Sequence, residues 1–172
     1  MNLKEHIAII EDFPITGISF KDITPILQNG DAFNYSTDKL AEFVKKQGAN
    51  VVVGPESRGF IFGCPVATKL NIGFVPVRKP GKLPRETVQV EYSLEYGKNV
   101  LAMHKDALKP GDKVVIIDDL LATGGTLKAT IELIESVGAK VVGCAFVVEL
   151  TGLNARKLIE NYEVFSLVNY EF

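Results

Sequence analysis

The sequence predicts a single-domain α/β fold, a mostly parallel twisted sheet with helices on both faces. Two observations predict it. Val51-Val52-Val53 and Val114-Val115-Ile116-Ile117 are fully apolar, β-branched runs of the kind that a strand buried on both faces requires. Each is followed by a glycine-bearing loop, a helical stretch and a further strand, Gly73 to Val77 and Lys140 to Leu150 respectively, giving two β-α-β units. In a sheet of this kind ligands bind outside the carboxyl ends of the strands.

At 172 residues the chain fits one domain, and a domain of that length buries roughly 70% of the surface its unfolded form exposes. Cys64 and Cys144 both lie in apolar runs and read as reduced core residues, the usage of a cytoplasmic protein. No signal-peptide pattern and no run of about 18 apolar residues occurs, so neither export nor membrane insertion is expected. A formal net charge of −2 argues against a nucleic-acid partner. His6 and His104 are too differently placed to suggest a metal site.

Taken in order, Leu3, Ile7 and Ile10 recur at helical spacing and Pro14 ends the segment, which predicts a short N-terminal helix. Gly17 to Pro25 is too punctuated for a core element, and the plain reading of Phe20 is a core plug. Phe33, Leu40, Phe43 and Val44 mark an amphipathic helix stopped at Gly48. Beyond the Val51 strand, Gly54-Pro55-Glu56-Ser57-Arg58-Gly59 forms a loop before a helix over Phe60 to Leu70. Arg58 there is either structurally paired or free to meet an anion. Residues 78 to 99 show no sustained period and many breakers, which predicts a long functional loop, a lid. It carries the basic Arg78, Lys79, Lys82 and Arg85, and the acids Glu86, Glu91 and Glu95, which residue type alone does not separate. Lys109-Pro110-Gly111-Asp112 spells a type II turn feeding the central strand. After Thr126, Leu127, Ile131 and Ile134 share a helix face that stops at Gly138; a short helix around Ala155 to Glu160 and a last strand, Val164 to Val168, follow.

The central strand ends in Asp118 and Asp119, placed to accept hydrogen bonds from a ribose diol or to act through a divalent cation. The residues after them turn small. Ala122, Thr123, Gly124, Gly125 and Thr126 combine glycines that allow close backbone approach with threonines able to cap the next helix. Free NH groups and the helix macrodipole at such a point favour an anion, and a phosphate monoester fits best. Neither a P-loop nor a dinucleotide fingerprint is spelled anywhere in the chain.

This stretch, Leu120-Leu121-Ala122-Thr123-Gly124-Gly125-Thr126, resembles the PRPP-binding signature of the type I phosphoribosyltransferases, in the spelling of members that act on adenine. Gly17 to Pro25, Glu56-Ser57-Arg58-Gly59-Phe60 and Tyr92-Ser93-Leu94-Glu95-Tyr96-Gly97 extend the resemblance over nearly the whole chain. The resemblance implies purine salvage: transfer of the 5-phosphoribosyl group of PRPP to N9 of adenine, giving AMP and pyrophosphate, with Mg²⁺ as cofactor. It implies that residues 122 to 126 hold the phosphate, Asp118 and Asp119 the ribose, and Glu56, Ser57, Arg58, Arg78, Lys79 and Lys82 the pyrophosphate. A base-binding flap over about 12 to 28 would place Phe20 and Leu150 on the two faces of adenine, with the backbone of Ser19 and Lys21 reading its edge. Glu95 would serve as acid or base at the purine nitrogens, with Arg58 as its catalytic companion and Tyr96 on the lid. Also implied are a cis peptide at Glu56-Ser57 and a homodimer in which Arg78 reaches the neighbouring site. Enzymes for 6-oxopurines usually use a lysine near the phosphate motif, and none lies between Asp118 and Thr126, which favours adenine.

Overall fold

The computed structural model describes residues 1–94 and 97–172. The chain starts with a 3-10 turn, Leu3–His6, then β1 (Ala8–Glu11), β2 (Ser19–Asp22), α1 (Thr24–Gln28), α2 (Gly30–Lys46), β3 (Val51–Pro55), α3 (Arg58–Leu70) and β4 (Gly73–Val77). β5 (Thr87–Leu94), β6 (Gly97–His104), β7 (Lys113–Leu121), α4 (Gly125–Ser136), β8 (Lys140–Leu150) and β9 (Val164–Tyr170) complete it, with 3-10 segments at Thr151–Leu153 and Ala155–Ile159. β4-β3-β7-β8-β9 form a five-stranded sheet in which every pairing is parallel.

The apolar runs become strands because alternate residues are taken up by opposite layers. Val51, Val53, Val114 and Ile116 enter the core beneath α4, together with Val88, Val90 and Tyr92 from β5. Val52, Val115 and Ile117 enter the core with α1, α2 and α3, where Leu40, Val44, Phe62 and Val66 are buried. Local signals set the ends. The Asn29 side chain accepts the Ala32 N–H at 2.9 Å and starts α2. The Asp112 N–H reaches the Lys109 carbonyl at 3.0 Å, the predicted turn into β7.

Several expectations are corrected. The N-terminal segment is a 3-10 turn and a strand, not a helix, so Leu3 and Ile7 are buried while Ile10 is exposed on β1. Gly17 to Pro25 contains β2, which pairs antiparallel with β1 from Ala8↔Asp22 to Glu11↔Ser19. Much of the stretch 78 to 99 is a strand, since β5 pairs with β6 from Thr87↔His104 to Leu94↔Gly97. Cys64 is exposed on α3; only Cys144 is buried. β7 runs on through both aspartates to Leu121, because its ladder with β8 continues to Leu121↔Glu149.

β3 connects to β4 on one side and β7 to β8 on the other, so β3 and β7 flank the point where the winding reverses. Outside the carboxyl ends of these two strands lies the crevice that such a reversal creates.

Candidate active site

A cleft of about 450 Å³ opens there, lined by Glu56, Ser57 and Arg58 on one wall, Asp118 and Asp119 on the floor, and the whole of 122 to 126 on the other wall. Two loops far apart in sequence thus meet at the ends of adjacent strands. Gly59 allows it: a Cβ there would stand 2.9 Å from the Ile117 carbonyl oxygen and 3.3 Å from Asp118 Oδ1. The start of α3 therefore sits directly against β7.

The phosphate-loop expectation is refined in one respect. Gly124, at φ 91°, is the N-cap of α4, and no threonine side chain caps the helix. Thr123 and Thr126 are exposed and line the cleft, and Thr130 Oγ1 instead donates to the Thr126 carbonyl at 2.7 Å. A Cβ on Gly124 would come within 3.1 Å of the Ala155 methyl carbon, so the 3-10 segment after β8 packs tightly on this turn.

The two aspartates differ. Burial pushes the Asp118 carboxyl well above the usual carboxylate range, and the neighbouring Asp119 charge pushes further. The Asp119 N–H donates to Asp118 Oδ1 at 2.8 Å. Asp119 is buried yet paired: its Oδ2 lies 2.7 Å from Arg58 Nε. Of the two readings left open for Arg58, the structural pairing is present, and the half-exposed guanidinium also faces the cleft.

Glu56 gathers the basic residues. Its Oε1 accepts the Lys79 N–H at 2.7 Å, while Lys82 Nζ (3.2 Å) and Arg78 Nη2 (3.3 Å) both point at Oε2. The Lys79 N–H first, and then the nearby lysine and arginine, hold this carboxyl below its ordinary range. Arg85 turns elsewhere, to Asp106 at 3.1 Å. The Glu56-Ser57 peptide is cis.

The flap reaches the cleft through Phe20, whose ring centroid is 6.0 Å from the Arg58 guanidinium carbon and 5.2 Å, edge-on, from the Phe13 ring. Lys21 is buried, with Nζ donating to Ser19 Oγ at 2.7 Å and lying 5.1 Å from the Tyr170 ring centroid. Asp22 fixes the following turn by accepting the Thr24 N–H at 2.9 Å. Leu150, the last residue of β8, is half-buried in the layer with α1 to α3 and lies outside the cleft lining. Glu95 and Tyr96 lie outside the described residues.

Tyr92 belongs to the motif that ends at Gly97, where the sequence reading gives it no role. Its hydroxyl is 3.3 Å from Thr126 Oγ1, so β5 touches the phosphate loop. The signal was the alternation of Val88, Val90 and Tyr92, whose inward faces pack on the core. Phe146, opposite Asp118 in the β7–β8 register, is the other omission and underlies the cleft.

A parallel sheet with an NH-rich helix start, an acidic pair and an arginine-bearing loop on one crevice defines a protein that handles phosphorylated sugars. Residues 22–172 match the family model described as Phosphoribosyl transferase domain, and the chain belongs to that family. It is similar to solved adenine phosphoribosyltransferases. That of Thermoanaerobacter pseudethanolicus is 51% identical with a TM-score of 0.94, covering 98% of each chain. That of Rhodothermus marinus is 49% identical, TM-score 0.91, over 98% of this chain and 96% of that one. The Saccharomyces cerevisiae enzyme, complexed with an imino-altritol bisphosphate and adenine, is 39% identical, TM-score 0.91, over 96% of each.

Proposed function

We propose that this chain transfers the 5-phosphoribosyl group of PRPP to N9 of adenine, releasing AMP and pyrophosphate. One observation carries the reading: the 122 to 126 turn, the Asp118–Asp119 pair and Arg58 line one cleft, with the Phe20 ring centroid 6.0 Å from the Arg58 guanidinium carbon. Breaking the bond from C1′ to pyrophosphate develops positive charge on the ribose and negative charge on the leaving group. Residues 122 to 126 anchor the 5′-phosphate, and Asp118 and Asp119 accept from the ribose hydroxyls and face the developing cation. Arg58, with the backbone at Ser57 and the cations Arg78, Lys79 and Lys82, meets the pyrophosphate. Phe20 packs on one face of the base, the backbone of Ser19 and Lys21 reads its edge, and Glu95 exchanges the proton at the purine nitrogens.

Among the described residues no three His, Cys, Asp or Glu side chains converge. The carboxylates lining the cleft are Glu56, Asp118 and Asp119, hard oxygen donors of the kind Mg²⁺ takes, and the reading has the ion held mainly by oxygens of PRPP, pyrophosphate and water. When bound, the ion supplies neutralisation of the pyrophosphate charge. The reading extends to a cytoplasmic homodimer; the exposed Ile9, Ile10, Phe13, Ile15 and Ile18 of the flap supply apolar surface for a second copy. Among the described residues no helix is long and apolar enough to cross a membrane.

The test is a competition assay: protein, PRPP and Mg²⁺ offered adenine, hypoxanthine, guanine and xanthine, with nucleotides separated chromatographically. AMP alone is expected. IMP or GMP would keep the transfer and discard the adenine pocket, and no nucleotide would discard the transfer.

A further inference from the structure

The Glu56 carboxylate stands among the cations that the leaving group needs, and it carries the wrong sign to bind pyrophosphate. Its backbone is fixed independently, the Glu56 N–H donating to the Val77 carbonyl at 2.8 Å. The side chain is free to make its own choice of partner, and it takes the Lys79 N–H, Lys82 Nζ, and Arg78 through both Nη2 and, at 3.4 Å, Nε. Only 14% of that side chain is exposed, yet it borders the cleft beside Ser57 and Arg58. Donors that would clasp pyrophosphate are thus already satisfied by an internal anion.

We propose that Glu56 is a resident counter-anion: it keeps the strap of residues 78 to 82 folded while the pyrophosphate position is empty, and it competes with pyrophosphate for Arg78 and Lys82. The proposal rests on the reading of this cleft as a phosphoribosyl-transfer site. A single carboxyl charge is exchanged for a multiply charged ligand on arrival, so binding remains favourable. On departure the carboxylate takes the cations back, and they are never left unpaired. No bond is made or broken; only ion-pair partners are traded. Glu56 is on this account a positioning residue that also sets how readily product leaves.

A merely structural Glu56 and a competing Glu56 predict opposite signs. The Glu56→Gln variant keeps an acceptor for the Lys79 N–H and removes the charge. Titration calorimetry with inorganic pyrophosphate and Mg²⁺ should show it binding about tenfold more tightly than wild type, while ribose 5-phosphate binds within about twofold. The charge-balanced double variant E56Q/K82Q should return pyrophosphate affinity to within about threefold of wild type. Unchanged or weaker pyrophosphate binding by E56Q, or equal weakening in both variants, would overturn the proposal alone. A wild-type protein that binds neither ribose 5-phosphate nor pyrophosphate would overturn the transfer reading beneath it.

Discussion

At the carboxyl ends of the central strands, Asp118 and Asp119 lie on β7 and Arg58 opens α3 just after β3, strands paired on both sides. On the ribbons, Phe20 and Tyr92 hang from β1–β2 and β5–β6, which pair only two strands each. A two-stranded ribbon has little stability of its own. The difference teaches a division of labour: charged groups are held by central strands that tolerate the cost of buried ionisable side chains, whereas Phe20 rides on a ribbon of two strands; β5–β6 is anchored instead by Leu101 and Met103, buried in the core with α4. The carboxyl ends of these central strands even carry an uncomfortable pair, with desolvation and the neighbouring Asp119 charge raising the Asp118 carboxyl. Such discomfort is typical of a site arranged for a ligand's charge rather than for stability.

That comparison can be broken at several points. The largest expected effect is at Arg58, which joins the two regions by bonding Asp119 and facing Phe20. Arg58→Ala should lower kcat/KM by on the order of 10² or more, because one preorganised donor is lost and a buried carboxylate is left unpaired. Steady-state rates within about threefold of wild type would remove it from the mechanism. Glu95→Gln should reduce kcat by about 10² while AMP affinity, measured calorimetrically, stays nearly intact. Normal turnover would discard its role.

Smaller effects concern stability. Arg156 forks onto the buried Glu149 with both bonds at 2.8 Å, and Ser166 Oγ donates to the same carboxylate at 2.9 Å. Because Arg156 is half-exposed, Arg156→Ala should cost about 2 kcal/mol, below the full value for a buried pair, in urea unfolding. Arg156, then burial opposing it, leave the Glu149 carboxyl below its ordinary range. Its contribution is therefore present above the unfolded carboxyl pKa and lost as pH falls through the lower folded one. An unfolding curve for wild type that does not weaken with acidification relative to R156A would contradict this.

Asp118 has the opposite sign. With its folded pKa raised, its stabilising contribution is present in acid and lost as pH rises through that value. Asp118→Asn should therefore raise stability by about 1 kcal/mol at neutral pH, with a gain that shrinks toward acid, while transfer activity falls. A variant less stable than wild type at neutral pH would show that the carboxylate is comfortable where it lies.

The same comparison explains what the sequence made legible. The central strands announce themselves, since Val51 to Val53 and Val114 to Ile117 must be apolar at every position to serve two layers. The turn at Pro110-Gly111 and the helix start at the glycines of 122 to 126 follow from local chemistry, whereas the run of β7 past Asp118 and Asp119 depends on its ladder with β8. The ribbons were hidden because their cues are short and mixed. Leu3, Ile7 and Ile10 fit a helix by spacing, but Ile10 faces solvent on β1, and its pairing with Phe20 is a contact between segments that no local pattern reveals. Val88, Val90 and Tyr92 alternate over too few residues to outweigh the breakers Pro80, Gly81 and Pro84 before them. Glu56 was legible as part of a loop, but not as the anion on which Arg78, Lys79 and Lys82 converge.

The most direct test of this division of labour is initial-rate kinetics with both substrates varied for two variants, Thr126→Val on the phosphate loop and Phe20→Ala on the flap. The account predicts a clean split: T126V raises KM for PRPP about tenfold with adenine little changed, and F20A raises KM for adenine about tenfold with PRPP little changed. Equal losses for both substrates in both variants would contradict it, because the cleft would then be one cooperative unit rather than two separable parts.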